Sequence, residues 1–136
     1  METGVKEKIE SFLSAGPYAV VGASRDRSKY GNKVLRCYQQ HGLEVYAVNP
    51  SATEVEGVAS VSSLGNLPTP VRGISVITPP GVTERVVENA PATGAEFVWM
   101  QPGAESAAAV ARGEALGLTV ISGGPCLLVA LGFRDV

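Results

Sequence analysis

Short apolar runs alternate with segments of helical periodicity along most of this chain. The apolar runs predict strands, and those at 18–22 and 73–78 are apolar enough to be buried on both faces of a sheet. Other strands are predicted at 44–48, 97–100 and 118–121, with a turn and a short edge strand over 54–62. Apolar residues three or four positions apart predict helices near 5–13, 34–41, 82–90, 104–116 and 127–131.

This alternation of strand and helix is typical of βαβ units. The predicted fold class is therefore α/β: a Rossmann-like, doubly wound, mainly parallel sheet with helices on both faces. The 136 residues contain no repeat, linker or low-complexity segment, so one domain spanning 1–136 is expected. If the first four strands lie in the order 3-2-1-4, the loops after strands 18–22 and 73–78 meet where the strand order reverses. Ligands of such sheets bind at that place.

Charge and composition exclude several classes of function. A net charge of −2 gives no bulk attraction to nucleic acid or to an anionic membrane. No apolar run approaches the roughly 20 residues of a membrane-spanning helix. The two cysteines and the single histidine have no metal-ligand spacing. A cytoplasmic protein without disulfides or a structural zinc is expected.

The loop at 22–31 has the composition of a phosphate site. Gly22 allows the backbone to approach a ligand closely, and the helix that follows presents free N–H groups and the positive end of its dipole. Three cations occur within five residues of an otherwise acidic chain: Arg25, Arg27 and Lys29. A solvated, charged loop has the same composition, but the position after a buried first strand favours phosphate binding.

The same loop argues against NAD as the ligand. The dinucleotide fingerprint G-x-G-x-x-G requires glycine at 22, 24 and 27, whereas this chain has Ser24 and Arg27. An acidic residue is also expected at the end of the second strand, where the sequence reads Val48-Asn49-Pro50. A nucleotide with a phosphate on its ribose is easier to accommodate than NAD.

Several short motifs resemble a known family, in register over nearly the whole chain. They are VVGAS at 20–24, KYGNKV at 29–34, VYAVNP at 45–50, TPP at 78–80 and VWMQPG at 98–103. Together they resemble the small stand-alone CoA-binding proteins, which are similar to the CoA-binding domain of the succinyl-CoA synthetase α subunit. The segment SGGPCL at 122–127 departs from the pattern of many relatives.

The resemblance implies that coenzyme A, or an acyl-CoA, lies across the strand ends. The residues on which it places the ligand are Gly22, Ala23, Ser24 and Lys29 in the diphosphate loop, Asn49 and Pro50 beside the adenosine, Thr78, Pro79 and Pro80 across the crevice, and Gln101 farther out. Arg25 and Arg27 join them as phosphate contacts because of the loop's own composition.

Two functions from different classes stay open. The first is a CoA-binding module without chemistry of its own; the second is an NAD(P)-dependent or acyl-transfer enzyme that needs a partner chain. The sequence favours the first, because His41 alone does not supply a Ser-His-Asp or Cys-His set. Cys126 is either a packed small hydrophobe, the favoured interpretation, or a thiol that is activated at this strand end or forms a mixed disulfide with a CoA thiol. A homo-oligomer is compatible with either function.

Overall fold

The computed structural model describes residues 4–136, so the first three residues of the predicted domain lie outside it. Within this range the strands are β1 Tyr18–Val21, β2 Val45–Val48, β3 Glu54–Val55, β4 Val58–Val61, β5 Gly73–Val76, β6 Phe97–Met100 and β7 Thr119–Ile121. The α-helices are α1 Val5–Leu13, α2 Tyr30–Gln40, α3 Pro80–Asn89, α4 Ala107–Ala115 and α5 Leu127–Leu131. Short 3-10 helices span Leu64–Asn66 and Pro91–Thr93. None of the described helices is long and apolar enough to cross a membrane.

The strands form one sheet in the order β3-β4-β2-β1-β5-β6-β7. All neighbours pair in parallel except β3 and β4, which are antiparallel. The chain runs outward from β1 through β2 to β4 and then crosses back to β5 on the other side of β1. The predicted doubly wound α/β fold is confirmed, and the strand order reverses at β1 and β5, as the 3-2-1-4 order requires.

Helices cover both faces of the sheet because its strands bury side chains on both faces. In β1, Ala19 and Val21 pack in a cluster with apolar residues of α3 and α4. The alternate residues, Tyr18 and Val20, pack in a second cluster with residues of α1, α2 and α5. All four residues of β1 are buried, which explains why this strand is apolar throughout.

Two elements differ from the sequence prediction in ways that affect the crevice. Helix α2 begins at Tyr30, four positions before the predicted start, because the first turn is mostly polar and carries no apolar periodicity. The predicted edge strand is a hairpin of two strands, since Glu56 and Gly57 both have positive φ angles, 49° and 80°, and turn the chain back. Both differences bring polar side chains close to the loop at 22–31.

Candidate ligand-binding site

The floor of the crevice is backbone, because two glycines let β1, α2 and the segment after β5 approach one another. Gly22 follows β1 with φ 97°, and a Cβ at this position would lie 2.3 Å from the carbonyl oxygen of Ile77. A Cβ on Gly31, in the first turn of α2, would lie 2.0 Å from the carbonyl oxygen of Gly22. Any side chain at either position would force these segments apart.

The start of α2 presents backbone donors without a cap. Lys29 precedes the helix in an extended conformation and provides no side-chain cap. The backbone N–H groups of Tyr30 and Gly31 have no acceptor among residues 4–136. The helix is 11 residues long, so these donors stand at the positive end of a full dipole. An anion placed over the Gly22 turn would satisfy both donors.

Of the three predicted cations, two are without protein partners in the described part of the chain. The side chains of Arg25 and Lys29 are exposed and form no ion pair there. Arg27 instead pairs with the Glu56 carboxylate and donates to the carbonyl oxygen of Val136 at 2.7 Å. Arg27 thus connects the loop to the β3–β4 hairpin, and its predicted phosphate contact stays a prediction.

Glu56 holds its negative charge in this network. The Asn32 side chain donates to its carboxylate at 3.1 Å, and the nearby Arg27 guanidinium adds a favourable charge. Both interactions lower the pKa of Glu56. The carboxylate therefore stays ionised and keeps Arg27 in its ion pair.

Side-chain amides hold the loop carbonyls in place. Asn49 donates to the carbonyl oxygen of Ala23 at 2.8 Å, and Asn32 donates to that of Ser24, also at 2.8 Å. The Asn49 side-chain oxygen accepts from the backbone of Ser51, so both ends of this amide are engaged. Asn49, predicted as a wall beside the adenosine, therefore also positions the loop.

The loop's own side chains stiffen it further. The Ser24 hydroxyl accepts from the backbone N–H of Asp26 at 3.1 Å. The Asp26 carboxylate accepts from the hydroxyl of Ser28 at 2.6 Å and from its backbone N–H at 3.0 Å. These hydrogen bonds, chiefly that of the Ser28 hydroxyl, lower the pKa of Asp26. The loop is consequently shaped without a ligand.

Two adjoining cavities flank Gly22. The first, here called the apolar cavity, has a volume of about 450 Å³ and lies between the ends of β1 and β2 and helix α3. Its apolar lining residues include Val21, Val48, Leu64, Val82 and Val86. The second, here called the loop cavity, has a volume of about 440 Å³ and is lined by Gly22, Ser24, Lys29, Tyr30, Gly31, Asn49 and Ile77. Because Gly22 lines both, the two form neighbouring parts of one crevice.

Most predicted site residues line one of these cavities. Gly22, Ser24, Lys29 and Asn49 line the loop cavity, and Pro50, Thr78 and Pro79 line the apolar cavity. A Cβ on Gly22 would lie 3.3 Å from Thr78 Cγ2, which reflects how closely the two predicted loops meet. Ala23, Arg25, Arg27, Pro80 and Gln101 line neither cavity.

Arg85 and Tyr30 are among the lining residues that were not predicted as site residues. Arg85 of α3 lines the apolar cavity, and its side chain has no ion pair among the described residues. Arg85 lies about one helical turn after Val82 and next to Val86 in sequence. This spacing from two apolar lining residues is the only sequence signal that could have indicated Arg85. Tyr30 lines the loop cavity and falls within the motif at 29–34, directly before Gly31.

Gln101, predicted farther out, is a fully buried link between β6, α2 and α5. Its side-chain oxygen accepts from the backbone N–H of Leu127 at 2.9 Å and from the Tyr30 hydroxyl at 3.2 Å. Its amide nitrogen is buried and has no hydrogen-bond partner in the part of the chain described. The Tyr30 hydroxyl also contacts the sulfur of Cys126.

The titratable groups around Tyr30 differ in accessibility. Burial, followed by the contact with Cys126, raises the pKa of Tyr30 so that it stays a neutral phenol. Cys37 is completely buried, and this burial raises the pKa of its thiol to about 11. Cys126 is partly exposed, unlike the packed small hydrophobe that the sequence favoured. Trp99 is a core residue, and its indole donates to the carbonyl of Pro125 at 3.0 Å.

A protein-family model described as a CoA binding domain matches residues 17–132 of this chain. The chain belongs to this CoA-binding family. The matched segment extends from just before β1 to the end of α5 and so contains both cavities. The predicted family membership is confirmed, and with it the general nature of the protein as a CoA-related binding module.

Members and neighbours of the CoA-binding family share both sequence and fold with this chain. It is 32% identical over 126 residues to the uncharacterized protein YneT of Bacillus subtilis, covering 89% of this chain and 90% of YneT. A hypothetical protein from Pyrococcus horikoshii OT3 superposes with a TM-score of 0.86 at 26% identity, covering 95% of this chain and 92% of that one. A dinucleotide-forming acetyl-coenzyme A synthetase 1 from Ca. Korarchaeum cryptofilum, in complex with phosphate and ADP, superposes at 0.69 with 28% identity. That match covers 77% of this chain and 25% of the synthetase.

Proposed function

We propose that residues 1–136 act as one domain that binds CoA or an acyl-CoA across the ends of β1, β2 and β5, without catalysing a reaction. The observation that carries this proposal is the start of α2, where two backbone N–H groups have no acceptor among residues 4–136. Lys29, which has no ion pair in that range, lines the loop cavity beside them, and Gly22 joins this cavity to the apolar cavity. A ligand with a diphosphate next to an apolar nucleoside matches this arrangement.

The diphosphate belongs at the Gly22 turn. Backbone N–H groups at the start of α2 donate to one phosphate, and Lys29, which lines the same cavity, adds a positive charge. Arg25 is exposed at the edge of the loop, from where its flexible side chain reaches the phosphates. Arg27 is already paired, so its part is to hold the loop against the β3–β4 hairpin.

The adenosine belongs in the apolar cavity. Its volume of about 450 Å³ falls in the range of ordinary ligand pockets. Pro50 and Pro79 line the cavity and offer rigid apolar surfaces. Arg85 lines it as well and supplies a cation for the ribose phosphate that distinguishes CoA from NAD.

The structure around β2 gives no support to the NAD alternative. The residue after this strand is Asn49, and its amide is bonded to the loop at both ends. A carboxylate that would bind the ribose hydroxyls of NAD is missing at this position. CoA does not require it.

A thermal-shift panel tests the ligand class. We expect CoA and acetyl-CoA to raise the Tm of the protein in a concentration-dependent manner, and NAD and NADP to leave it unchanged. Calorimetry would then give the Kd for CoA. Stabilisation by NAD or NADP but not by CoA would overturn the proposal.

Two sets of variants test the placement of the phosphates. Arg25→Ala combined with Lys29→Ala should weaken CoA binding about 10- to 100-fold and flatten its dependence on salt, because charged hydrogen bonds to the diphosphate are lost. The matched control is Lys6→Ala combined with Arg72→Ala, which removes the same charge elsewhere; Arg72 precedes β5 at the opposite end of the sheet. Equal losses in the two double variants would remove the loop from the site.

Arg85→Ala tests the position of the ribose phosphate. It should weaken binding of CoA about tenfold while leaving the affinity for dephospho-CoA unchanged. If both ligands lose affinity equally, Arg85 does not contact that phosphate.

A further inference from the structure

The loop cavity ends beside a thiol. Tyr30 lines this cavity, and its hydroxyl contacts the sulfur of Cys126. Cys126 follows β7 and directly precedes α5, at the same edge of the sheet as the Gly22 turn. Cys126 is a partly exposed residue, whereas Cys37 is completely buried. A residue of the cavity wall, Tyr30, therefore contacts the sulfur of a partly exposed cysteine.

A second, independent feature at this place is the amide of Gln101. This side chain is fully buried. The backbone N–H of Leu127 needs an acceptor, which fixes the Gln101 oxygen toward it at 2.9 Å. The amide nitrogen therefore faces away from Leu127 and has no acceptor among residues 4–136. Buried donors are rarely left without a partner, so this donor is available to an oxygen acceptor that a ligand supplies next to Tyr30 and Cys126.

The direction of a bound CoA follows from the two cavities that meet at Gly22. With the adenosine in the apolar cavity and the diphosphate at Gly22, the pantetheine arm extends through the loop cavity toward Tyr30. The arm carries two amide carbonyls, which are acceptors of the kind that Gln101 lacks. It ends in a sulfur atom, and the wall at that end holds the sulfur of Cys126.

We propose, on the basis of the proposed CoA site, that Cys126 takes up CoA covalently by exchange with a CoA disulfide. The Cys126 thiolate attacks one sulfur of the disulfide. The sulfur–sulfur bond of the CoA disulfide breaks, a new one forms between Cys126 and the bound CoA, and the second CoA leaves as a thiolate. That thiolate accepts the proton that Cys126 lost. The CoA disulfide is the oxidant, and the product is a protein–CoA mixed disulfide.

Neighbouring side chains have distinct parts in this step. Tyr30 is a neutral phenol, so it positions the sulfur by hydrogen bonding and does not act as a base. Gln101 binds a carbonyl of the pantetheine arm through its free amide nitrogen. The partial exposure of Cys126 lets the second CoA depart into solvent.

The experiment uses the fully reduced protein and CoA disulfide, followed by intact-mass measurement and peptide mapping. We expect one CoA per chain, attached to Cys126 and removed by dithiothreitol. Cys126→Ser should form no adduct, and the matched variant Cys37→Ala should form it as the wild type does. An adduct on Cys37, or none at all, would overturn the proposal.

Reaction rates separate a built site from an ordinary exposed cysteine. CoA disulfide should modify Cys126 at least about tenfold faster than glutathione disulfide does, because binding of the nucleotide raises the local concentration of the reacting sulfur. Arg25→Ala combined with Lys29→Ala should slow the reaction with CoA disulfide more than the reaction with glutathione disulfide, because only CoA disulfide has a diphosphate for this loop. Equal rates for the two disulfides in the wild type would contradict the proposal.

Calorimetry with Cys126→Ser distinguishes failure of this inference from failure of the proposed function. If this variant binds CoA normally and the wild type forms no adduct, the exchange is wrong and the CoA site stands. If neither protein binds CoA, the proposed function itself is wrong. Acetyl transfer from acetyl-CoA to Cys126, without a CoA adduct from the disulfide, would replace exchange by acyl transfer and overturn the proposal.

Discussion

Gly31→Ala is the sharpest test of how the crevice is built. The new methyl group would lie 2.0 Å from the carbonyl oxygen of Gly22, whereas ordinary contacts begin at 3.4 Å. Helix α2 and the end of β1 must therefore separate by about 1.4 Å, which corresponds to that difference. The methyl group is fixed to the backbone at Cα and its neighbour is a backbone carbonyl, so no side-chain rotation relieves the clash.

The expected loss in the free energy of unfolding is about 2 kcal/mol. Overpacking of this kind costs roughly 1–3 kcal/mol, and replacing glycine by alanine in a helix returns up to about 1 kcal/mol. For a chain of this size the loss corresponds to a decrease in Tm of roughly 5–10 °C. The displaced N–H groups of Tyr30 and the residue at 31 should also weaken CoA binding.

Gly81→Ala is the matched control for Gly31→Ala. Gly81 is the second residue of α3, as Gly31 is of α2, but a Cβ at Gly81 meets nothing within 4 Å. The substitution should therefore stabilise the protein by up to about 1 kcal/mol through helix propensity alone. Urea and thermal unfolding followed by circular dichroism measure both variants. Changes of the same sign and size would refute the close approach of α2 to Gly22.

Three further predictions concern the interior and the loop. Tyr38→Phe should cost about 1–3 kcal/mol in urea unfolding, because it leaves the buried Ser75 hydroxyl without its 2.6 Å partner, and adding Ser75→Ala should recover part of the loss. Folding lowers the pKa of Glu56 below its ordinary value of 4.5, so the ionised carboxylate stabilises the protein above that pH, and this stabilisation is lost as the pH falls through the folded pKa. The urea midpoint of the wild type should therefore decline more in acid than that of Glu56→Gln, and equal declines would contradict this. Asn49→Ala should weaken CoA binding about tenfold in calorimetry by releasing the Ala23 carbonyl, whereas Asn66→Ala, in an exposed turn away from the loop, should not.

Much of the fold could be predicted because its signals are local. The strand at Tyr18–Val21 and the helix at Leu127–Leu131 were predicted closely, since buried β-strands and amphipathic helices have their own periodicities. The hairpin Glu54–Val61 was predicted as a turn with one short edge strand, and its second strand was missed, because the turn uses Glu56 at a positive φ angle and glutamate does not indicate a hairpin turn. The first turn of α2 was not predicted as helix because it is mostly polar and has no apolar periodicity.

Cavity-lining positions that depend on local backbone shape could be predicted from the sequence. The ion pairs of the charged side chains could not. Gly22 and Lys29 both line the loop cavity, since a small turn after a buried first strand is itself the signal, and their contact with a ligand stays a prediction. Arg25 and Arg27 look alike in sequence, and among residues 4–136 only Arg27 has a carboxylate partner, 29 residues along the chain. Arg85 was missed because no local pattern tells a helical arginine that lines a cavity from one that faces solvent.

Taken alone, the sequence determined the alternation of strands and helices, the burial of β1 and the small, cationic loop that follows it. These properties depend on neighbours within a few residues, where backbone geometry and apolar periodicity act. The tertiary structure decided which charges are paired and which donors lack an acceptor: Arg27 with Glu56, Gln101 with an unused amide nitrogen, Tyr30 against Cys126. Such contacts join positions far apart in the chain, and only the order in which the strands assemble brings them within hydrogen-bonding distance.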